Sequence, residues 1–157
     1  TNCGFDFEQV NDALTRNNRL LIIKMHPDSK LSFLKEYSNI QIVEKDVDIY
    51  PILPLTHCLI TDYSSIYFDY ILMKDKPVIL FIPDLDNYLK NSRDLAFPYE
   101  EYTKGIVAKD FEVLMALFNS PTEDYAMPDI DNIRKIFWAP TFKSLEELTK
   151  AIIERLN

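Results

Sequence analysis

Residues 59–70 read LITDYSSIYFDY, and this stretch decides the fold class. The apolar run Cys58-Leu59-Ile60 reaches Thr61-Asp62, two serines follow at Ser64 and Ser65, and an amphipathic run begins. The pattern predicts a buried strand that ends, turns at its carboxyl edge and feeds a helix. Hydroxyls at a helix N-terminus satisfy orphan backbone N–H groups. The same N–H groups, aided by the helix dipole, attract phosphate. In an open α/β sheet, ligands bind beyond the carboxyl ends of strands. The stretch therefore carries a functional expectation as well as a structural one.

Outward from this centre, short apolar runs alternate with helical spacing. Leu20–Met25, Ile40–Val43, Cys58–Thr61 and Pro77–Ile82 read as strands, and Ile106–Ala108 as a short edge strand. Phe7–Asn17 carries Phe7, Val10, Ala13 and Leu14 on one helical face behind Asp6 as a cap. Further helices are expected at Ser32–Tyr37, Ser64–Met73, Phe111–Asn119, Ile130–Phe137 and Ser144–Leu156, the last with Ser144 and Glu147 as a capping box. Asp48–Leu55 holds Pro51 and Pro54 and reads as a short helix with Pro51 in its first turn. Tyr88–Glu101 reads as a long irregular loop. Alternation of this kind implies an α/β fold, a parallel sheet covered by helices on both faces, with the four longer strands adjacent.

Composition narrows the classes. A chain of 157 residues, 47% apolar, fits one compact domain. Net charge −8 argues against nucleic acid as a partner, because affinity for its backbone comes from clustered Lys and Arg. Two cysteines, Cys3 and Cys58, fit a reducing compartment better than a disulfide scaffold. No apolar run approaches the roughly 20 residues that span a bilayer, and the polar start TNCGFDFEQ reads as no signal peptide. That start, without Met, suggests a piece of a longer chain. Gly4 and Gly105 are too few for a Walker A loop or a GxGxxG fingerprint, so any phosphate site is built without glycine.

Three groups of residues are candidates for chemistry. His26 stands where a strand runs out at His26-Pro27, placed to donate to a phosphate oxygen or move a proton near neutral pH. The alternative is a turn histidine beside a strand-ending proline. Ser64 and Ser65 offer hydroxyls and amides to a diphosphate, and Asp69, one turn beyond Ser65, is placed to accept from ribose hydroxyls. Without a ligand, Asp62 and Ser64 are only a helix cap and Asp69 a solvated carboxylate. In the polar stretch after Asp84, Arg93 can clamp a phosphate, or simply be solvated. His57, ahead of its strand, reads as structural, and Trp138 and Phe142 as packing residues.

KMHP at 24–27, DIYPIL at 48–53 and LITDYSSIYFDYILMKDKPVILFIPDLDNY at 59–88, in this order and spacing, resemble the CDP-glycerol:poly(glycerophosphate) glycerophosphotransferases. The similarity runs from about Leu20 to Val107. It implies a Rossmann-like domain, the C-terminal, nucleotide-binding half of a GT-B fold, with 1–157 as most of that half. It implies CDP-glycerol or a similar CDP-alditol as donor, a lipid-linked polymer as acceptor, and release of CMP. It implies that His26 meets the diphosphate, that Ser64 and Ser65 hold it, that Asp69 lies near the ribose, and that Lys24, Thr61 and Asp62 belong to the same site. Arg93 falls near an arginine that the family follows with glycine, whereas Asp94 follows here. No cofactor is implied. The N-terminal acceptor domain is missing from the chain, and the intact enzyme is expected in the cytoplasm, at the inner face of the membrane. Two other readings stay open: a GT-B glycosyltransferase or hexose-phosphate transferase using another nucleotide donor, and a non-catalytic α/β binding domain.

Overall fold

A computed structural model describes residues 5–25, 36–73, 75–91, 97–126, 129–138 and 144–156. The first helix, α1 (Phe7–Arg16), starts where expected. The Asp6 carboxylate accepts from the amides of Glu8 and Gln9 at 2.9 and 3.2 Å and from the Gln9 side chain at 2.8 Å. These bonds, the Gln9 side chain first, hold its carboxyl below the ordinary carboxylate range. Val10, Ala13 and Leu14 are buried on one face. The helix stops at Asn17, whose side-chain amide donates to the carbonyls of Ala13 and Phe118, and the chain reverses through Asn18 at φ 50°.

The strands form two parallel ladders. β1 (Leu21–Lys24) pairs with β2 (Ile40–Val43) from Leu21↔Ile40 to Lys24↔Val43. β4 (Val78–Phe81) lies between β3 (Leu59–Thr61) and β5 (Ile106–Ala108), with Leu59↔Val78 and Ile79↔Ile106 in register. The pairings are parallel as expected, but the expected single run of adjacent strands is not observed. No ladder joins β1 to β3 among the described residues; their edges are separated by an apolar cleft between Leu21–Lys24 and Ile60. Apolar runs define strands, whereas their neighbours are set by contacts distant in sequence.

Helices cover both faces. On one, α1 and α5 (Phe111–Asn119) bury Ile40, Ile79 and Ala108 together with Leu21, Ile23 and Ile60. α5 is capped by Asp110, which accepts from the Val113 amide at 2.8 Å. On the other face, Leu59, Val78 and Leu80 pack against α2 (Ile66–Tyr70) and α6 (Asp131–Phe137) through Tyr67, Tyr70, Ile71 and Ile133. Leu80 is 2% exposed; a side chain so buried contributes roughly 1.5–3 kcal/mol of apolar transfer.

Several expected elements are corrected. The helix read at Ser64–Met73 is the single-turn α2; beyond it the Leu72 and Met73 amides donate three residues back, to Asp69 and Tyr70, and Arg134 donates to the carbonyls of Ile71 and Met73. Asp48–Leu55 forms turns and a 3-10 turn at Leu53–Leu55 in which Pro54, not Pro51, takes the early position. Lys76 fixes that turn by donating to the carbonyls of Pro54 and Thr56. The stretch read as loop holds α3 (Leu85–Asn91) and α4 (Tyr99–Tyr102). Tyr37 makes an antiparallel bridge to Ile40; most of the helix read at Ser32–Tyr37 lies outside the described residues. The terminal helix α7 (Ser144–Leu156) has the expected bounds, and the side chains of its capping box lie outside the described residues. No described helix is long and apolar enough to cross a membrane.

Gly105 answers to a close approach. A Cβ at this position would stand 2.7 Å from the Val78 carbonyl oxygen and 3.1 Å from Leu80 Cγ. Only a residue without a side chain lets the chain enter β5 this close to the central strand.

Candidate functional site

The candidate site is the turn that carries β3 into α2. Thr61 closes the strand at 9% exposure, and the chain then surfaces through Asp62, Ser64 and Ser65. The turn is braced on three sides. The Tyr99 hydroxyl donates to the Asp62 carbonyl at 2.9 Å. The Asp62 carboxylate accepts from the Ser64 amide at 3.1 Å, a local turn typical of aspartate. The Tyr63 ring stacks on Tyr88 at 3.8 Å, with the Tyr99 ring edge-on at 5.5 Å, and its hydroxyl donates to Asp84 at 2.9 Å. Burial, and then the Asp84 hydrogen bond, push the Tyr63 phenol well above its ordinary value. Burial pushes Tyr99 up to about 12. Both phenols therefore stay protonated near neutral pH and keep the turn fixed.

Beneath the turn, Tyr67 is 1% exposed. Its oxygen accepts from the Lys104 amide at 2.7 Å and donates to the Lys104 carbonyl at 3.1 Å, clipping α2 to the entry of β5. Desolvation raises this phenol too. What remains unengaged faces solvent. Ser65 caps α2 without a side-chain bond, in contrast to the expected hydroxyl cap. Among the described residues, nothing accepts from the amides of Ser65 and Ile66. Two exposed hydroxyls and two free amides at one rigid turn suit an anion with several acceptor oxygens.

The other expected site residues divide. Asp69 lies on α2, and one of its carboxylate oxygens accepts from the Tyr50 hydroxyl at 2.5 Å. That bond, and then the carboxylate's charge, raise the Tyr50 phenol. Lys24 stands at the end of β1 and donates to the carbonyls of Glu44, Lys45 and Val47 at 2.5, 2.8 and 2.6 Å. All three ammonium protons thus hold the turn after β2. Among the described residues, no hydrogen bond joins Lys24 to the 62–65 turn. His26 and Arg93 lie outside the described residues. Cys58 is a free thiol pushed up to about 12 by burial, and Cys3 also lies outside them. His57 is exposed, and the Trp138 indole donates to the Phe68 carbonyl at 2.9 Å. No group of three or more His, Cys, Asp or Glu among the described residues is placed to hold a metal ion.

Tyr50, Tyr67 and Tyr99 are the residues that sequence reading left without a role. A signal for one of them was present: Tyr63, Tyr67 and Tyr70 recur at helical spacing, the mark of an inward face.

Comparison with known proteins identifies the family. The family profile of the CDP-glycerol:poly(glycerophosphate) glycerophosphotransferases matches residues 1–141. The teichoic acid ribitol-phosphate polymerase TarK of Staphylococcus aureus is 30% identical over 154 residues, 96% of this chain and 29% of the relative. A teichoic acid poly(glycerol phosphate) polymerase of Bacillus spizizenii is 27% identical over 157 residues, 99% of this chain and 39% of the relative. Among solved structures, the wall teichoic acid polymerase TagF superposes with a TM-score of 0.54 at 19% identity, over 100% of this chain and 50% of that chain. The chain thus spans about a third of the length of these curated relatives.

Proposed function

The chain belongs to the CDP-glycerol:poly(glycerophosphate) glycerophosphotransferase family, and from that premise we propose that it forms the donor-binding half of a two-domain, GT-B transferase. The complete protein takes a CDP-alditol, transfers the alditol phosphate to the terminal hydroxyl of a teichoic-acid or related polymer, and releases CMP. The observation that carries this reading is the braced turn at 62–65, with its exposed serines and free amides, inside a segment the family profile matches throughout.

The chemistry follows from the groups present. The acceptor hydroxyl oxygen attacks the β-phosphorus, the bond from that phosphorus to the CMP oxygen breaks, and the hydroxyl proton passes to a base in the partner domain. Ser64, Ser65 and the amides of Ser65 and Ile66 hold the diphosphate. His26, two residues past Lys24 at the end of β1, donates to it as CMP gains charge. Lys24 positions that strand end by gripping the 44–47 turn. Asp69 and Tyr50 form one hydrogen-bonded unit beside the turn, suited to ribose hydroxyls. Arg93 supplies a further cation. Growth of the polymer on a lipid carrier puts the intact enzyme at the inner face of the membrane.

Glycerol phosphate is the first choice for the transferred group. Ribitol phosphate is the second, supported by the name and the 30% identity of TarK. The test is CMP release by the complete protein from CDP-glycerol, CDP-ribitol and, as a control, turnover of UDP-glucose. Turnover of UDP-glucose alone would move the protein to the glycosyltransferases. Binding of a CDP-alditol without turnover would leave a binding domain.

A further inference from the structure

We propose that Tyr99, a buried residue behind the 62–65 turn, sets the affinity for the donor diphosphate by holding the Asp62–Tyr63 peptide so that the Tyr63 amide faces outward. This rests on the donor-site reading given above and assigns that site a positioning residue.

The peptide is gripped by its carbonyl. The Tyr99 hydroxyl donates to the Asp62 carbonyl oxygen at 2.9 Å. Tyr99 is 7% exposed and belongs to the buried cluster of Tyr67, Leu80 and Ile82. The Asp62 carbonyl therefore points inward. In a trans peptide the C=O and N–H lie in one plane and point in opposite directions, and no cis peptide occurs among the described residues. The Tyr63 N–H accordingly points away from Tyr99. Among the described residues, no acceptor meets it. Buried amides are almost always paired, so this one belongs to the solvent side of the turn, where Asp62, Ser64 and Ser65 are exposed. It adds a third open amide to those of Ser65 and Ile66, and it lies in the turn itself, ahead of α2. The Ser64 amide is already taken by the Asp62 carboxylate at 3.1 Å.

Tyr99 approaches the turn from an anchored segment. Its carbonyl accepts from the Thr103 amide at 2.9 Å and from the buried Thr103 hydroxyl at 2.5 Å. The next residue, Lys104, is clipped to Tyr67 through both its backbone groups. The Tyr99 ring also meets the Tyr63 ring edge-on at 5.5 Å. The hydroxyl is thus held at a fixed place relative to the peptide it orients.

The direction of the effect follows from the peptide's rigidity. Without the hydroxyl, the Asp62 carbonyl is stranded against an apolar ring, which costs free energy. It regains a partner by rotating toward water. The same rotation carries the Tyr63 N–H inward and takes it from the anion. Hydrogen bonds to a charged acceptor are among the stronger ones, so losing this one weakens diphosphate binding about tenfold or more.

The test is calorimetry on the complete protein with two ligands, CDP-glycerol and cytidine, which lacks phosphate. In Tyr99→Phe the dissociation constant of CDP-glycerol should rise about tenfold or more, and that of cytidine should stay the same. Tyr125→Phe is the matched control. It strips a phenol that donates to the Leu117 carbonyl at 2.5 Å, in the other core cluster, against α5, and should leave both constants as they are. An unchanged affinity for CDP-glycerol in folded Tyr99→Phe overturns the proposal. So does an equal loss for both ligands, which would mark Tyr99 as general support for the domain. Wild-type protein that binds CDP-glycerol no tighter than cytidine overturns the donor-site reading itself. If Tyr99→Phe does not fold, NMR of wild-type protein with isotope-labelled tyrosines decides. The Tyr63 amide resonance should move downfield with CDP-glycerol and stay in place with cytidine; an amide indifferent to CDP-glycerol overturns the proposal.

Discussion

Replacing Tyr67 by Phe keeps the ring and removes one oxygen. That oxygen accepts from the Lys104 amide at 2.7 Å and donates to the Lys104 carbonyl at 3.1 Å. The substitution strands both backbone groups, each at about 1–3 kcal/mol if water cannot replace the partner. The Lys104 side chain is exposed, so water reaches the neighbourhood and the lower part of the range applies. The expected cost is about 2–3 kcal/mol in total. At 1.4 kcal/mol per factor of ten, exchange of the Lys104 amide should accelerate about 30- to 100-fold. If the loss propagates to the whole domain, the melting temperature falls by about 4–12 °C, at 2–4 °C per kcal/mol for a chain of this size. The assay is amide exchange resolved at Lys104, beside calorimetry of both forms. An unchanged exchange rate at Lys104 would refute the clip as a stabilising contact, whatever the melting temperature does.

His26→Ala in the complete protein should cut CMP release about 100- to 1,000-fold, the usual cost of losing one charge-stabilising donor, while the melting temperature stays put. Equal losses in both would mark His26 as structural. Lys24→Met should lower stability and loosen the 44–47 turn, because three carbonyls lose their donor. A calorimetric loss of donor affinity with stability intact would instead make Lys24 a ligand. Gly105→Ala drives a Cβ to 2.7 Å from the Val78 carbonyl; overpacking of this kind typically costs about 1–3 kcal/mol, and an unshifted denaturation midpoint would show that the backbone gives way freely. Cys58, whose folded pKa of about 12 exceeds its ordinary 9.0, should alkylate at pH 8 two to three orders of magnitude more slowly than in the unfolded chain, since the thiolate is the nucleophile. The sign of the linkage is that unfolding gains stability relative to the native state only as pH rises past 9.0. Melting scans on a Cys58→Ser variant should therefore lose that alkaline component.

Much of this architecture could be read from local pattern. α1 and α5 begin behind aspartates that do accept helix-end amides. The strands coincide with the apolar runs to within a residue or two. The split into two ladders was not legible, because an apolar run marks a strand and not the neighbour it pairs with. α2 was read too long because the tight turns after Tyr70 keep the apolar spacing of a helix, and the Arg134 bonds to the Ile71 and Met73 carbonyls come from a residue remote in sequence. Tyr88–Glu101 was read as loop; the Leu85, Tyr88 and Leu89 stripe lies on α3, only seven residues long, and runs into the polar stretch Lys90–Asp94, so it was too short to stand out. At the site, the Thr61–Ser65 turn and the place of Asp69 were plain. A cation at a strand end, however, looks the same in sequence whether it faces a ligand or the carbonyls of a neighbouring turn, as Lys24 does. Aromatic stacking of Tyr63 on Tyr88 is a tertiary fact with no local signature.

A bare strand edge is also adhesive. Along the apolar cleft, β1 and β3 each present backbone donors and acceptors that no described strand satisfies. Such edges are templates for pairing with another molecule unless they are covered. The open pairing groups therefore favour association between molecules as the concentration rises.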